Sequence, residues 1–368
     1  MKQQNKYLIS GGGTGGHIFP AIAIAEAIKT LDQTAQFLFV GAKGKMEMKK
    51  VPDAGYPIVG LWISGFNRSI TLKNLLFPIK LVHSLMLARK IIRNYKPNVV
   101  IGTGGYASGP TLRVASKKGI PCLIQEQNSF PGITNRILAK KVNAICVAYN
   151  NMDKYFPAEK IQITGNPVRL SLQVKKENTT EARRHFNIRE NNTTILIVGG
   201  SQGAKAINNT FLSIVGEILA QNTSIIWQTG ESSFDEAKKL EVKYGADVLS
   251  VHKFINRMDY AYGAADVVIS RAGAIAISEL CIAAKATIFI PLPSAAEDHQ
   301  TKNAAALAEQ HAAVLVPEEN ITKQLLPAIN SLIQNEVERK KLAQNINTFA
   351  KPNAATNIAH KAISLLQK

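Results

Sequence analysis

The apolar residues of this chain come in short unbroken blocks, each ending in glycine. "KYLIS" runs into "GGGTGGH", "NVVIG" into "TGGYASGP" and "TTILIVGG" into "SQGAKAIN", and a stretch of helical spacing follows each turn. Further blocks are "AQFLFVG", "PCLIQEQ", "AICVAY", "IQITG", "SIIWQTG", "DVVISR" and "ATIFIPLP". Continuous apolar runs of this length, separated by helical segments, predict parallel strands buried on both faces. The alternation restarts near Thr193, after the polar stretch "KKENTTEARRHFNIRENN". The expected fold is therefore α/β, with two Rossmann-like doubly wound domains. Their expected bounds are residues 1–167 and 168–352, with a hinge near "GNPVRLSL". The last helix, "ATNIAHKAISLLQ" within 353–368, is assigned to the first domain, although its pattern alone suits either.

Composition narrows the class. A chain of 368 residues with 46% hydrophobic and 19% charged residues is globular and too long for one ordinary core. Three scattered cysteines, Cys122, Cys146 and Cys281, form neither a disulfide framework nor a zinc set, which fits a reducing cytoplasm. "MKQQNKYLIS" lacks the apolar core of a signal peptide, and no apolar run approaches the ~20 residues that span a bilayer. A soluble or peripheral protein is expected. The net charge of +18 is uneven: residues 1–167 hold 22 Lys and Arg against 7 Asp and Glu, the remainder 22 against 19. Concentration in one half points to an anionic partner, whether nucleic acid, acidic lipid or phosphorylated substrate, beyond the solubility that any charge confers.

The first glycine turn holds five glycines in six residues, and Gly11, Gly13 and Gly16 satisfy G-x-G-x-x-G. A dinucleotide site would also place an acidic residue at the end of the next strand, where Gly41 stands. No Gly-Lys-Ser/Thr follows, which removes the ATP-type loop. Pro20 suits the first turn of a helix, so the helix is expected to begin there. What remains is a loop whose backbone amides and helix end can approach an anion, or a tight strand–helix packing. "GGSQGAK" offers Ser201 and several amides in the same way. In "SRAGAIAISEL" a lone Glu279 sits on an apolar helix; such a residue is commonly solvated, and its alternative is to accept hydrogen bonds from the two hydroxyls of a ribose.

Eight motifs in order, "GGTGGHIFPA", "GTGGYASGP", "EQNSFPGITNRILA", "TGNPVR", "GGSQGA", "WQTG", "DVVISRAGAIAISEL" and "DHQTKNA", run nearly end to end and resemble the MurG family. These are UDP-N-acetylglucosamine transferases that convert lipid I to lipid II in peptidoglycan synthesis. The resemblance implies the GT-B glycosyltransferase fold, with two domains facing a cleft. The C-terminal domain would bind UDP-GlcNAc, and the N-terminal domain the acceptor and the membrane. It implies donor contacts from Ser201, Ile255, Ala274, Ile275, Ala276, Ile277, Ser278, Glu279 and Gln300, with Arg169 at the hinge. The Ile255 main chain would read uracil, Glu279 would hold ribose and Gln300 would contact the sugar. Thr14, Gly15, Gly16 and Asn128 would complete the site, and Tyr106, Ser108 and Asn135 match acceptor-side positions.

The chemistry needs a stabilised pyrophosphate leaving group and a base for the attacking hydroxyl. Many sugar-nucleotide transferases hold Mg²⁺ with Asp-x-Asp; no such motif occurs here, so no metal or other cofactor is expected. Helix ends, backbone amides and Arg169 would then carry the leaving group. His17 is the candidate general base toward the 4-hydroxyl of the acceptor's N-acetylmuramoyl group, against the alternative that it only orients substrate. Inversion, giving a β-(1→4) bond, is implied by the family. Three departures stand out. Gln125 replaces the usual His of His-Glu-Gln-Asn, Ile275-Ala276 replaces Leu-Thr, and Ala284-Lys285-Ala286 replaces Gly-Lys-Pro.

Residues 68–93, "RSITLKNLLFPIKLVHSLMLARKIIR", combine an apolar stripe with flanking Lys and Arg. Core packing takes part of it. Leu72, Leu75, Leu76, Phe77 and Ile79 are expected to touch an anionic bilayer, and Pro78 argues against one unbroken helix. The implied partners are UDP-GlcNAc, lipid I, the anionic inner leaflet and other cell-wall enzymes. The implied location is peripheral, on the cytoplasmic face of the bacterial inner membrane. The rival readings are a UDP-GlcNAc 2-epimerase, which needs no lipid surface, and a basic nucleic-acid module, for which no motif is found.

Overall fold

A computed structural model describes residues 4–65, 76–168, 172, 179–200, 203–295 and 298–367. Two compact units are present: Met1–Leu170 with Pro352–Lys368, and Ser171–Lys351.

The first unit is a parallel sheet of β1 (Lys6–Gly11), β2 (Gln36–Ala42), β3 (Ile58–Leu61), β4 (Val99–Gly104), β5 (Cys122–Glu126), β6 (Ala144–Val147) and β7 (Ile161–Ile163), in the order β3-β2-β1-β4-β5-β6-β7. Its helices are α1 (Gly15–Leu31), α2 (Glu47–Asp53), α3 (Phe77–Tyr95), α4 (Ser108–Lys117) and α5 (Ile133–Leu138). Neighbouring residues of one strand enter opposite cores. Tyr7 and Ile9 join α1, whereas Leu8 packs with Val100, Leu112 and Ile92 under α3 and α4. That double burial explains the unbroken apolar runs. α1 is apolar nearly all round because the chain's last helix (Ala354–Ser364) covers it, through Ala355, Ile358, Ala359 and Ala362.

The second unit repeats the plan with β8 (Thr193–Val198), β9 (Thr223–Gln228), β10 (Leu249–His252), β11 (Val267–Ser270), β12 (Ala286–Phe289) and β13 (Val314–Leu315), ordered β10-β9-β8-β11-β12-β13 and all parallel. Its helices are α6 (Thr179–His185), α7 (Lys205–Leu219), α8 (Phe234–Tyr244), α9 (Met258–Ala264), α10 (Ala274–Ala283), α11 (His299–Glu309), α12 (Ile321–Gln334) and α13 (Glu336–Asn347). In each unit the strand order reverses once, between β1 and β4 and between β8 and β11. Ligands of open α/β sheets bind at such points, beyond the carboxyl ends of the strands.

Several local expectations need correction. α1 begins at Gly15, with Pro20 inside it; His17 N–H and Ile18 N–H both donate to the Thr14 carbonyl, so the glycines themselves form the first turn. In keeping with the expected interruption at Pro78, α3 begins only at Phe77, and Pro78 lies in its first turn, where the missing N–H costs nothing. The strands β3, β10 and β13, of four, four and two residues, were not among the expected blocks. The departure at Ala284 has a structural consequence: it caps α10 in the left-handed region at φ 51°, where a glycine would be unstrained.

Candidate active site

The glycine turn after β1 is fixed from below by a carboxylate. Glu47 is fully buried and accepts from the Gly13 amide at 3.1 Å and the Ala42 amide at 2.9 Å. A Cβ on Gly12 would lie 2.2 Å from the Glu47 carboxylate, so the loop can settle on it only without side chains. Glu47 was not expected as a site residue: in "GKMEMKK" it reads as one more surface charge. Thr14 and Gly16 are exposed beyond it, and Gly15 is half-buried.

His17, half-buried in the first turn of α1, is held on two sides. Thr103 Oγ1, near the end of β4, donates to the His17 carbonyl at 2.8 Å. The imidazole Nδ1 lies 3.0 Å from Gln127 Oε1. Gly104, at φ 99°, lets the ring approach: a Cβ there would stand 2.8 Å from Nδ1 and Cε1. Gln127 is buried and belongs to a chain of amides. Its Nε2 donates to the Thr103 carbonyl at 2.8 Å and to the backbone and side-chain oxygens of Gln125. Gln125 Nε2 donates to Asn166 Oδ1 at 3.2 Å, and Asn166 Nδ2 to the Gln127 carbonyl at 3.1 Å.

A second buried carboxylate organises the loop after β5. Glu126 accepts from the Asn128 amide at 3.0 Å, the Gly132 amide at 3.1 Å and Asn135 Nδ2 at 2.8 Å. Asn135 is thus a buried partner of Glu126, and the Ser108 side chain is buried against Gly102. Of the three acceptor-side positions only Tyr106 is exposed, at 49%, its ring lying over Gly65.

In the second unit the described donor positions follow the carboxyl ends of β10, β11 and β12, and the glycine turn after β8 leaves its strand at the same edge of the sheet. Gln228, at the end of β9, links two of these loops: its Nε2 donates to the Gly200 carbonyl at 2.9 Å, and its Oε1 accepts from the Ile255 amide at 2.8 Å. α10 opens at Ala274 after Gly273, whose extended backbone turns the chain into the helix. Ile275 and Ile277 are buried, Ala276 and Ser278 half-buried, and Ser278 Oγ bonds back to the Ala274 carbonyl at 2.9 Å. Glu279 is not a solvated surface residue. It is 5% exposed, and Tyr262 Oη donates to its Oε2 at 3.1 Å. Gln300 Oε1 accepts from the Leu292 amide at 3.0 Å, which ties α11 to the loop after β12. That loop is also held by Arg271, which donates to the Ile290 and Pro291 carbonyls and pairs with Glu318. Arg169 and Ser201 lie outside the described residues.

On α3, Leu76, Ile79, Val82 and Met86 form an exposed apolar stripe, with Ile79 57% and Met86 61% exposed. Phe77 is half-buried; Leu72 and Leu75 lie outside the described residues. The stripe runs a turn and more beyond the expected end at Ile79; core packing takes Ser84, Ala88, Ile91 and Ile92, with Leu81, Leu87 and Tyr95 partly buried beside them. Beside it a groove of about 350 Å³ runs between α3 and α4, lined by Leu85, Met86 and Val114 and by Arg89, Arg113, Lys117 and Lys118. The three thiols are buried, and burial pushes each up to about 12. Among the described residues, no three His, Cys, Asp or Glu gather closely enough to hold a metal ion.

Two Rossmann-like units, each with glycine turns at its strand-order reversal, make up the architecture of GT-B glycosyltransferases. The sequence matches the glycosyltransferase family 28 N-terminal domain over residues 7–147 and the C-terminal domain of that family over 194–358. A Christiangramia forsetii protein is 49% identical over 366 residues, covering 100% of this chain and 99% of its own; it is named UDP-N-acetylglucosamine--N-acetylmuramyl-(pentapeptide) pyrophosphoryl-undecaprenol N-acetylglucosamine transferase. The crystal structure of Acinetobacter baumannii MurG matches with a TM-score of 0.73 at 28% identity, over 98% of this chain and 100% of that one. A Neisseria meningitidis UDP-GlcNAc 2-epimerase bound to UDP-GlcNAc shares the fold, with a TM-score of 0.67 at 14% identity over 98% of this chain and 100% of that one. The chain belongs to the MurG family of glycosyltransferases.

Proposed function

We propose that this enzyme transfers GlcNAc from UDP-GlcNAc to the 4-hydroxyl of the N-acetylmuramoyl group of lipid I, forming lipid II. The observation that carries this reading is full-length identity of about one half to a relative named for that reaction. The acceptor O4 attacks the anomeric carbon from the face opposite UDP, the bond from C1 to the pyrophosphate oxygen breaks, and the O4 proton passes to His17. Inversion and a β-(1→4) linkage follow from that geometry of attack.

In this reading the second unit binds the donor. The N-terminus of α10 and the amides of Gly199, Gly200 and Gly203 receive the pyrophosphate; Ser201 and Arg169, which the family resemblance assigns to the donor, lie outside the described residues. Glu279 accepts hydrogen bonds from the ribose, and Gln300 contacts the sugar. Since the Ile255 amide is taken by Gln228, the Ile255 carbonyl is the group we assign to uracil N3–H. The first unit contributes Thr14, Gly15, Gly16 and Asn128 to the donor and Tyr106 to the acceptor. Ser108 and Asn135 serve by shaping loops, because their side chains are buried.

We further propose peripheral attachment to the anionic inner leaflet, which would place the enzyme where lipid I and other cell-wall enzymes act. No helix among the described residues is long and apolar enough to cross a membrane. The apolar stripe of α3 beside four basic residues is suited to lie on acidic lipid instead. The test of the reaction is UDP release from UDP-GlcNAc, with and without a lipid I analogue and EDTA. Release that requires the acceptor and survives EDTA is expected. UDP-ManNAc formed without acceptor would replace the transferase by an epimerase.

A further inference from the structure

We infer that Gln127 is a positioning residue that selects the tautomer of His17, keeping the proton on Nδ1 and the lone pair on Nε2. The inference rests on the reading of His17 as general base.

The argument is one of donors and acceptors. The Gln127 side chain meets two classes of neighbour: oxygens on one side, the imidazole Nδ1 on the other. On the oxygen side stand the Thr103 carbonyl at 2.8 Å, the Gln125 carbonyl at 3.2 Å and Gln125 Oε1. None of these can donate a hydrogen, so the NH₂ of Gln127 must face them. Turning the amide over would set its oxygen against three oxygens in a buried site. The amide oxygen is therefore committed to His17, and Nδ1, 3.0 Å away, must carry the hydrogen that bridges them. In water a neutral imidazole prefers its hydrogen on Nε2, the tautomer that leaves no base there. The buried amide chain reverses that preference.

Gln125 gains a role from this. Its Oε1 is one of the oxygens that orient Gln127, and its own amide is fixed by Asn166 Oδ1, so three amides and one threonine carbonyl lock a single arrangement. The carboxylates on neighbouring elements are engaged elsewhere. Glu47 holds the Gly13 and Ala42 amides, and Glu126 holds Asn128, Gly132 and Asn135. The orienting group is thus a neutral amide, in the place where the Ser-His-Asp triad uses a carboxylate.

The test reads the tautomer directly. The protein has seven histidines, and the His17 signals in ¹⁵N-histidine-labelled full-length enzyme are identified by their loss in His17→Ala. Two-bond ¹⁵N–¹H spectra at pH 8 are expected to show His17 protonated on Nδ1. Gln127→Met, close in size but without the amide, is expected to move the proton to Nε2 and lower kcat by about 10- to 100-fold with an unchanged KM for UDP-GlcNAc. Gln127→Glu is expected to restore the Nδ1–H tautomer and most of kcat, and to move the acid limb of the kcat profile to higher pH. A wild-type His17 protonated on Nε2, or a Gln127→Met enzyme with full kcat, overturns the inference. Full turnover by His17→Ala, with the tautomer still as described, instead removes His17 as the base and leaves the Gln127 geometry standing.

Discussion

The two units share one plan but fasten their glycine turns by different chemistry. In the first, buried carboxylates do it: Glu47 holds the turn after β1 and Glu126 the loop after β5, and each takes backbone amides that a neutral side chain would bind less strongly. In the second, neutral Gln228 ties the turn after β8 to Ile255, and a buried carboxylate, Glu279, is held by Tyr262. The exteriors differ as well, with nearly all the excess positive charge on residues 1–167. The difference teaches a division of labour. The first unit spends Glu47 and Glu126 on scaffolding and presents an imidazole and a basic, apolar face; the second keeps a buried carboxylate, Glu279, for the role we propose in holding the ribose diol.

The sharpest way to break this comparison is to remove one working group from each unit. His17→Ala is expected to lower kcat by about 10²- to 10⁴-fold, with UDP affinity nearly unchanged by calorimetry. Glu279→Ala is expected to weaken UDP binding by about 100-fold, the scale of lost hydrogen bonds to a charged group, with less effect on turnover at saturation. Equal losses of both quantities in both variants would end the division. Glu47→Ala comes next. Stranding two buried amides is expected to cost about 3 kcal/mol in denaturant unfolding and to lower turnover with it, while UDP affinity is kept.

The exposed apolar stripe of α3 gives a third contrast. Ile79→Glu with Met86→Glu is expected to cut retention on anionic vesicles by more than tenfold in flotation, since each burial forgoes about 2 kcal/mol. Retention on purely zwitterionic vesicles equal to that on anionic ones would contradict the role given to Arg89, Arg113, Lys117 and Lys118. Tyr262→Phe removes one hydrogen bond to Glu279 and is expected to raise KM for UDP-GlcNAc about fivefold, with kcat held, on the basis of about 1 kcal/mol per bond. The smallest effect belongs to Ala284→Gly. Relief of the left-handed strain at the end of α10 is expected to add about 1 kcal/mol and raise the melting temperature of the second unit by a few degrees.

What the sequence disclosed follows from range. The apolar blocks, the glycine turns at their ends and the restart near Thr193 are local signals, and they located most strands, the strand-to-helix turns and the position of His17. The residues that hold the site in shape are not local. Gln127 is 110 residues from His17, Glu47 is 34 from Gly13, Gln228 is 27 from Ile255, and Tyr262 is 17 from Glu279. Only the order of strands brings such pairs together, so Glu47 reads as surface charge and Gln127 as one more polar residue. Glu279 is instructive in the other direction. A lone carboxylate on an all-round apolar helix was the signal of a buried site, because a helix with no polar face has no side to turn toward water.

The central claim is formation of one bond, and its most direct measurement follows the sugar carbon. UDP-GlcNAc labelled with ¹³C in the sugar is incubated with the full-length enzyme and a lipid I analogue, and the product is read by NMR. The account predicts label in a GlcNAc unit β-linked to O4 of N-acetylmuramic acid, formed only with acceptor present. Label in UDP-ManNAc, or in an α-linked disaccharide, would contradict it.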